Sequence, residues 1–168
     1  QRIPDLCSFR GYPELMRVAS LTCSNTEIVC ALGMSHLLVG VDDHSDHPPT
    51  ALQRVTRLGP DLSIDLDTLA DLKPDLTLAS LTVPGHEKVV EGIRQRDLEY
   101  IAPDPRCIAD IFRDIRQIAS LLKVPQRGEA LIGWLQKGLE PRSRSLSPIP
   151  VLVEWWPKPV YVPARYSW

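Results

Sequence analysis

Short apolar runs alternate with segments of helical periodicity along most of the chain. Runs of three or four apolar residues predict buried strands, whereas apolar residues at intervals of three and four predict amphipathic helices. On this basis we expect four strands, at residues 18–21, 37–41, 76–79 and 100–102. Helices are expected between and after these strands, at residues 24–32, 66–72, 87–96, 108–122 and 126–140.

The ends of the first helix carry two further signals. Ser24 and Glu27 have the spacing of a capping box, which predicts a helix start at Ser24. Gly33 stands where a helix C-terminus favours glycine. The strongest helical pattern lies at 108–122, where the opposite, solvent-facing side is expected to carry Arg113, Asp114, Arg116 and Gln117.

The alternation of strands and helices with short connections predicts an α/β fold. We expect a Rossmann-like, mainly parallel sheet with helices on both faces. The segment PRSRSLSPIP at 141–150 predicts a linker or an exposed loop, and 151–153 a further strand. A lone strand cannot bury both faces, so this end is expected to begin a second, truncated α/β domain. The expected division is 1–15 leader or loose arm, 16–123 first domain, 124–142 connecting helix, and 143–168 linker and start of the second domain.

Composition narrows the choice of partners only slightly. The chain is 43% apolar and 24% charged with a net charge of −2, as in an ordinary soluble globular protein. The charge balance gives no reason to expect nucleic-acid binding. The apolar runs are too short for direct insertion into a membrane. The four cysteines lack zinc-ribbon spacing, which favours free thiols over a disulfide framework.

Polar side chains collect where the predicted strands end. In open parallel sheets, ligands bind beyond the carboxyl ends of the strands. That rule brings together four segments of this chain: Thr22–Asn25, Asp42–His47, Ser80–His86 and Pro103–Arg106. His44, His47 and His86 lie in them, so imidazole ligands for a transition-metal ion are one interpretation of this edge.

A thiol enzyme is a second interpretation of the same edge. Cys23 would stand at a helix N-terminus, where its pKa would be lowered, and His44 or His86 could serve as its base. However, no nucleophile elbow, P-loop or GxGxxG motif accompanies these residues. A cysteine at the tip of a buried strand is more commonly a small apolar filler, so we expect a non-enzymatic protein.

Five segments in order resemble a known family. They are RVASLTCSNTEIVCALG (17–33), LVGVDDHSDHPP (38–49), LDTLADLKPDLTLAS (66–80), DPRCIADIFRDIRQIASLL (104–122) and VEWWPKPVYVPARYSW (153–168). Together they resemble the periplasmic-type solute-binding proteins of ABC importers for vitamin B12, haem and ferric siderophores. The cobalamin-binding branch is the most similar. The resemblance runs from Arg17 to the last residue.

The resemblance implies a two-lobed receptor that clamps its ligand between the lobes. A long helix joins the lobes, and the helix near 126–140 would be that connector. The implied function is the capture of a corrinoid, a vitamin B12-like ligand, and its delivery to an ABC permease in the membrane. A ferric siderophore, haem or a metal ion is the alternative ligand, and an adaptor lobe without a ligand is a further alternative. No cofactor is required, because the metal chelate is cargo.

The resemblance also implies which residues form the site. His44 matches an aromatic residue that packs against the corrin, Ser80 stands where a relative carries tryptophan, and Asp61 lies near the position of another. Trp155 matches an aromatic residue of the second lobe, with Trp156 and Lys158 beside it. The remaining expected ligand-binding residues lie at the carboxyl edge described above: Cys23, Ser24, Asn25 and His86.

Four further expectations concern permease docking, location, metal ligation and self-association. Family members dock on the permease through an acidic residue on each lobe, and Asp67 holds the first-lobe position. An extracytoplasmic location, periplasmic or at the cell surface, is implied. His44 or His86 could also supply an axial imidazole to cobalt or haem iron. The apolar surface around Trp155 and Trp156 would favour self-association of a chain that lacks the rest of its second lobe.

Overall fold

The computed structural model describes residues 16–139 in full, together with the backbone of residues 156–157 and 160–161. The expected leader at 1–15, the linker at 141–150 and the strand at 151–153 therefore lie outside the described residues. Residues 156–157 and 160–161 form a two-stranded antiparallel pair, β6 (Trp156–Pro157) and β7 (Val160–Tyr161).

The first domain is built on a five-stranded parallel sheet. Its strands are β1 (Val18–Ser20), β2 (Leu38–Val41), β3 (Thr56–Arg57), β4 (Leu76–Leu78) and β5 (Tyr100–Ile101). Their order across the sheet is β3-β2-β1-β4-β5, and every neighbouring pair is parallel. The predicted α/β fold with a mainly parallel sheet is confirmed, since all four neighbouring strand pairs are parallel.

Six helices accompany the sheet within residues 16–139. They are α1 (Cys23–Ala31), α2 (Pro49–Leu52), α3 (Leu66–Asp71), α4 (His86–Gln95), α5 (Ile108–Leu121) and α6 (Pro125–Leu139), with a 3-10 turn at Ser35–Leu37. The five predicted helices are present, and no end is shifted by more than one residue. The short α2 and the edge strand β3 were not predicted.

Each face of the sheet has its own apolar core. On one face α1, α5 and α6 contribute Val29, Ile115, Ile118, Leu131 and Ile132, which pack on Leu38, Leu76 and Leu78 of the strands. On the other face α3 and α4 contribute Leu69, Val89, Val90 and Ile93, which pack on Ala19 and Leu58. Burial of each such aliphatic side chain contributes about 1.5–3 kcal/mol relative to exposure. Helices on both faces are therefore confirmed.

The start of α1 corrects the prediction from capping-box spacing. The helix begins at Cys23 with Thr22 as its N-cap, and no side chain caps it. Ser24 therefore lies inside the helix instead of preceding it, and it cannot pair with Glu27 as a cap. The C-terminal signal was right, because Gly33 follows the helix with a φ of +72° and donates from its N–H to the carbonyl of Cys30.

A capping box forms instead at α5, where it was not predicted. The Asp110 carboxylate accepts hydrogen bonds from the backbone N–H of Arg106 at 2.8 Å and of Cys107 at 3.1 Å. Asp114, one turn later, was expected on the solvent face of this helix. It is instead only 6% exposed, which corrects that prediction. The polar stripe of α5 is therefore narrower than its sequence pattern indicates.

Candidate functional site

The sheet order creates a crevice at one edge of the domain. From β1 the chain first moves outward to β2 and β3, then crosses to β4 on the other side of β1. The connections after β1 and β4 therefore diverge from one another at the carboxyl edge. Such a topological switch point is where open α/β sheets bind ligands. The loops that follow all five strands at this edge are called the rim below: residues 21–25, 42–48, 58–65, 79–85 and 102–107.

A buried side chain holds the two sides of the crevice together. Asn25, in the first turn of α1, donates from Nδ2 to the carbonyl oxygen of Ala79 at 2.7 Å. Both residues are buried, so bulk water cannot reach this carbonyl oxygen and the Asn25 amide supplies its hydrogen bond. Asn25 is therefore a structural support of the crevice, and its side chain is not free to contact a ligand.

A chain of buried hydroxyl groups fixes the loop after β2. Ser45 Oγ donates to Asp42 Oδ1 at 2.5 Å and lies 2.8 Å from Thr26 Oγ1, which in turn lies 2.8 Å from Ser20 Oγ. All four residues are buried. Low-dielectric surroundings strengthen such a network and make its interruption costly. The loop is consequently held on β1 and α1.

Arg57 closes the same loop from the edge of the sheet. Its Nη1 donates to the carbonyl oxygen of Ser45 at 2.5 Å and to that of Asp42 at 3.0 Å. The backbone N–H of His44 donates to Asp42 Oδ2 at 3.0 Å. The His44 side chain nevertheless remains 63% exposed. The backbone of this loop is thus held by hydrogen bonds while the His44 imidazole is exposed, as a ligand contact requires.

Asp61 lies between two histidines that are distant in sequence. Its Oδ2 is 3.2 Å from His86 Nε2, and its Oδ1 is 3.8 Å from His44 Nε2. The first distance is a hydrogen bond, while the second is an ionic contact only. Asp61 is 28% exposed, whereas the His86 side chain is 4% exposed. The predicted rim residues His44, Asp61 and His86 are therefore brought together.

The pairing with Asp61 assigns different roles to the two imidazoles. A carboxylate only accepts hydrogen bonds, so Nε2 of His86 must carry the proton that it donates. The Nδ1 atom of His86 is buried and has no hydrogen-bond partner within residues 16–139. His86 therefore orients Asp61 from below the surface, and His44 is the imidazole that a bound molecule can reach.

Two apolar side chains next to this cluster were missed by the sequence analysis. Leu62 and Val83 are exposed large hydrophobic residues that lie in the rim beside Asp61 and His86 respectively. Leu62 Cδ2 lies 3.1 Å from the position that a Cβ on Gly85 would occupy, and Gly85 has a φ of +109°. Leu62 thus covers the start of α4. The only sequence signal was an apolar residue inside each polar loop.

Ser80 faces inward. Its Oγ accepts from the backbone N–H of Thr82 at 3.2 Å and lies 2.8 Å from Thr82 Oγ1 and 3.5 Å from the carbonyl oxygen of Pro103. Ser80 therefore closes the loop after β4 against the loop after β5. The hydrogen bonds of Ser80 therefore stabilise the rim.

Cys23 and Ser24 are both exposed at the start of α1. Partial burial of the thiol group and the nearby Asp42 carboxylate raise the pKa of Cys23, although backbone hydrogen bonds oppose this. The expectation that the helix N-terminus lowers this pKa is therefore wrong. Burial also raises the pKa of the Cys30 thiol, to about 11, which disfavours its reactive thiolate form. Cys23 therefore lacks the lowered pKa that the thiol-enzyme interpretation requires of its nucleophile.

The bare-ion interpretation also lacks a ligand set in the described part of the chain. Within residues 16–139, no three His, Cys, Asp or Glu side chains are grouped so as to hold a metal ion. His44 and His86 meet only one carboxylate, that of Asp61, and His47 is exposed in the same loop as His44. A metal that reaches this rim must therefore bring most of its ligands with it.

A groove of about 420 Å³ lies beside the rim, along the edge strand β5. Its walls come from α4, α5 and the ends of β4 and β5, including Leu81, Arg94, Tyr100 and Gln117. None of the predicted site residues lines it. The rim crevice remains the candidate site, because open α/β sheets bind ligands at such a switch point.

Asp67, the expected docking residue, lies outside the rim on α3. Its Oδ1 accepts from Arg96 Nη2 at 2.6 Å and from Arg96 Nε at 3.3 Å. Arg96 also donates to the carbonyl of Gly92, which holds the guanidinium against α4. The Asp67 side chain is nevertheless 88% exposed, so its second oxygen faces solvent.

Trp155 and Lys158 lie outside the described residues, and of Trp156 only the backbone in β6 is described. The helices within residues 16–139 include none that combines the length and apolar character of a membrane span.

Sequence and structure comparisons identify the family. A profile described as "Periplasmic binding protein" matches residues 18–168. A vitamin B12-binding protein of Photorhabdus laumondii is 24% identical over 89% of this chain and 55% of its own length. The chain therefore spans about half the length of this curated relative.

Two solved structures agree with the fold. The periplasmic vitamin B12 binding protein of Vibrio cholerae is 26% identical, with a TM-score of 0.75 over 92% of this chain and 61% of that one. The periplasmic haem-binding protein RhuT of Roseiflexus sp. RS-1 is 29% identical, with a TM-score of 0.64 over 73% and 46%. The described domain corresponds to part of each. With the profile match over residues 18–168, these similarities establish that the chain belongs to the periplasmic binding protein family.

Proposed function

We propose that this chain provides the first lobe, and the beginning of the second, of a receptor that captures a corrinoid for an ABC importer. The observation that carries the proposal is the rigid rim at the switch point, in a chain whose relatives include vitamin B12-binding proteins. Its permease would lie in the membrane, and the receptor outside the cytoplasm. The metal chelate is cargo, and no cofactor is required.

Binding without chemical conversion fits the rim. A nucleophilic enzyme needs an activated group, yet burial and Asp42 raise the pKa of the Cys23 thiol. The rim instead offers a fixed backbone with exposed polar and apolar side chains, which suits recognition. A receptor returns its ligand unchanged, so ligand recovered after release should be chemically identical to the ligand supplied.

The first-lobe contacts centre on the cluster of His44, Asp61 and Leu62. His44 is exposed and faces Asp61, so its imidazole can reach the metal centre or the edge of a macrocycle. His86 is buried and acts through Asp61, and Asn25 and Ser80 support the loops. Cys23 and Ser24 are exposed at the start of α1 and can contact a ligand directly.

The second-lobe contacts would come from Trp155, Trp156 and Lys158. A flat macrocycle needs broad apolar walls with a few polar groups at its edge, and WWPKP supplies indole rings, prolines and an ammonium group. Pairing of β6 and β7 stiffens the backbone on either side of Lys158. The helix α6, at Pro125–Leu139, would connect this second lobe to the first.

Haem is the second candidate ligand, because a haem-binding protein shares the fold at 29% identity. A ferric siderophore remains a third. His44 would then serve as an axial ligand of haem iron, and His86 would not, because its ring is buried. Loss of the His44 imidazole would change the absorption spectrum of the bound metal chelate in that case.

Calorimetric titration of the full-length receptor tests the function. Cyanocobalamin, hemin and a ferric siderophore are titrated in parallel, with tryptophan fluorescence as a second signal. Saturable one-to-one binding of cyanocobalamin that weakens in Trp155→Ala supports the corrinoid receptor. Hemin or siderophore binding alone would retain the receptor and change its ligand, whereas no saturable binding at all would contradict the proposal.

A matched pair of histidine variants tests the role of His44. His44→Ala should lower the affinity and alter the spectrum of the bound chelate, while His47→Ala, in the same loop and also exposed, should do neither. Equal effects of both variants would remove His44 from the site.

A further inference from the structure

We propose that the first-lobe rim selects its ligand by charge: it favours an uncharged metal chelate that carries N–H donors and disfavours anionic chelates. This inference rests on the proposed function and assigns to the same site a ligand class. It separates corrinoids and neutral siderophore complexes from haem, whose propionates are anionic, and from catecholate complexes.

The charged side chains of the rim are mostly acidic. Its segments contain six aspartates and one arginine, Arg106, and Arg57 immediately precedes the loop 58–65. The acidic residues are Asp42, Asp43, Asp46, Asp61, Asp65 and Asp104. Asp43 and Asp46 are exposed on either side of His44 and Ser45. A crevice lined by one sign of charge repels ligands of that sign.

Both arginines near the rim are already engaged. Arg57 donates through Nη1 to the carbonyl oxygens of Asp42 and Ser45, as described above. Arg106 donates through Nη2 to Asp104 Oδ2 at 2.5 Å. Bidentate recognition of a ligand carboxylate requires a guanidinium fork that is not committed elsewhere. The rim therefore offers an anionic group a poor partner from either arginine.

Asp61 provides the attractive contact of this selection, as an acceptor for N–H groups of the ligand. A carboxylate has about four lone-pair sites and can only accept hydrogen bonds. His86 takes one of them at 3.2 Å, and His44 lies at 3.8 Å from the other oxygen. The remaining acceptor sites suit the N–H of a primary amide, a group that corrinoids carry at their periphery and haem lacks. Leu62, exposed next to Asp61, can pack on the apolar part of such a ligand.

The expected size of the repulsion follows from Coulomb's law. A pair of unit charges about 10 Å apart in water changes an equilibrium constant about twofold at low salt. Two aspartates facing a ligand with two or three negative charges make four to six such pairs, so they should weaken binding by roughly 16-fold to 60-fold. At an ionic strength of about 0.15 M the Debye length is about 8 Å, which removes most of this effect.

Titrations of the full-length receptor with matched chelates test the selection. The probes are cyanocobalamin, hemin, an uncharged ferric trihydroxamate and a triply anionic ferric tricatecholate, each at about 10 mM and 150 mM salt. The double variant Asp43→Asn/Asp46→Asn removes two rim charges. The control Asp71→Asn/Asp97→Asn removes two exposed charges at the ends of α3 and α4, at the opposite edge of the sheet.

We expect the rim variant to tighten binding of the anionic chelates at least about tenfold at low salt and to change binding of the neutral ones less than about twofold. Added salt should tighten anionic binding to the wild type, and the control variant should behave like the wild type. If neither the rim variant nor added salt tightens binding of the anionic chelates, the charge selection is wrong. Binding of any chelate in that case would still support the proposed receptor function. If no chelate binds in any condition, the proposed function itself fails.

Discussion

The side-chain amide of Asn25 donates to the carbonyl oxygen of Ala79 at 2.7 Å, across 54 residues of sequence. Asn25 belongs to α1, which follows β1, and Ala79 follows β4. This hydrogen bond therefore crosses the switch point and fixes the width of the crevice between two strands that are neighbours in the sheet.

Replacement of Asn25 should destabilise the domain. Asn25→Ala leaves a buried carbonyl without its donor, which costs about 1–3 kcal/mol of unfolding free energy. Urea unfolding followed by circular dichroism measures the change. Glu27→Gln, exposed on the same helix, is the control and should unfold like the wild type. Equal midpoints for Asn25→Ala and the wild type would contradict the role of the amide.

Arg127 makes a comparable connection on the opposite edge. Its Nη1 donates to the carbonyl oxygen of Leu32 at 2.8 Å, so that α6 satisfies an acceptor at the end of α1. Arg127→Met removes a buried, charge-assisted hydrogen bond and should cost about 1.5–3 kcal/mol. Arg116→Met breaks only an exposed pair with Glu129 and should leave the unfolding midpoint nearly unchanged. A larger loss in Arg116→Met than in Arg127→Met would contradict this assignment.

Asp114 should make stability fall as pH rises. Burial raises its pKa, and its Oδ2 has no hydrogen-bond partner within the described domain. Since the folded pKa exceeds the unfolded value of about 4, its stabilising contribution is complete below that pH and is lost as pH rises through the folded pKa. Asp114→Asn should therefore be more stable than the wild type at pH 7, with the difference disappearing at acidic pH. Urea midpoints between pH 2.5 and 7 measure it.

Asp110, one turn earlier, provides a control of opposite sign. Hydrogen bonds from the backbone of Arg106 lower its pKa, so its contribution is present above the unfolded pKa and is lost as pH falls through the folded one. Asp110→Asn should be less stable than the wild type at pH 7 and equal to it in acid. If both variants shift stability in the same direction, the assignment of one carboxylate is wrong.

Asp67 should affect transport without affecting ligand binding. It lies on α3 outside the rim, and one of its oxygens faces solvent beside Arg96. If it meets permease arginines, Asp67→Lys places like charges together, which costs several kcal/mol and should slow uptake at least about tenfold. Uptake into proteoliposomes containing the permease measures the change, with calorimetry to verify ligand affinity. Asp71→Lys at the end of the same helix is the control. Normal uptake by Asp67→Lys would exclude this docking residue.

The fold was largely predictable because its strands are apolar runs and its helices are periodic. Val18, Leu38, Leu76 and Leu78 are buried as expected. The elements that escaped are the shortest: β3 has two residues, and α2 has four residues that begin at a proline. Neither is long enough to display a period, so tertiary pairing rather than local pattern determines them.

The site was predictable in position but not in its contacts. The rule for parallel sheets placed His44 and His86 at one edge of the sheet, and the family resemblance added Asp61. Their pairing depends on loops 17 and 25 residues apart, and sequence spacing does not encode such a contact. The burial of Asp114 and the inward orientation of Ser80 were hidden for the same reason, because each depends on a neighbouring loop or helix.

The central position of β1 has a consequence for the order in which the protein is made. β1 is synthesised before the other described strands of its sheet, yet its second neighbour, β4, begins at residue 76, which is 56 residues after β1 ends at residue 20. Synthesis at about 5–20 residues per second leaves one edge of β1 unpaired for roughly 3–11 s. During that interval the strand is open to pairing with another chain. Pairing with β4 is therefore the step that covers the second edge of β1.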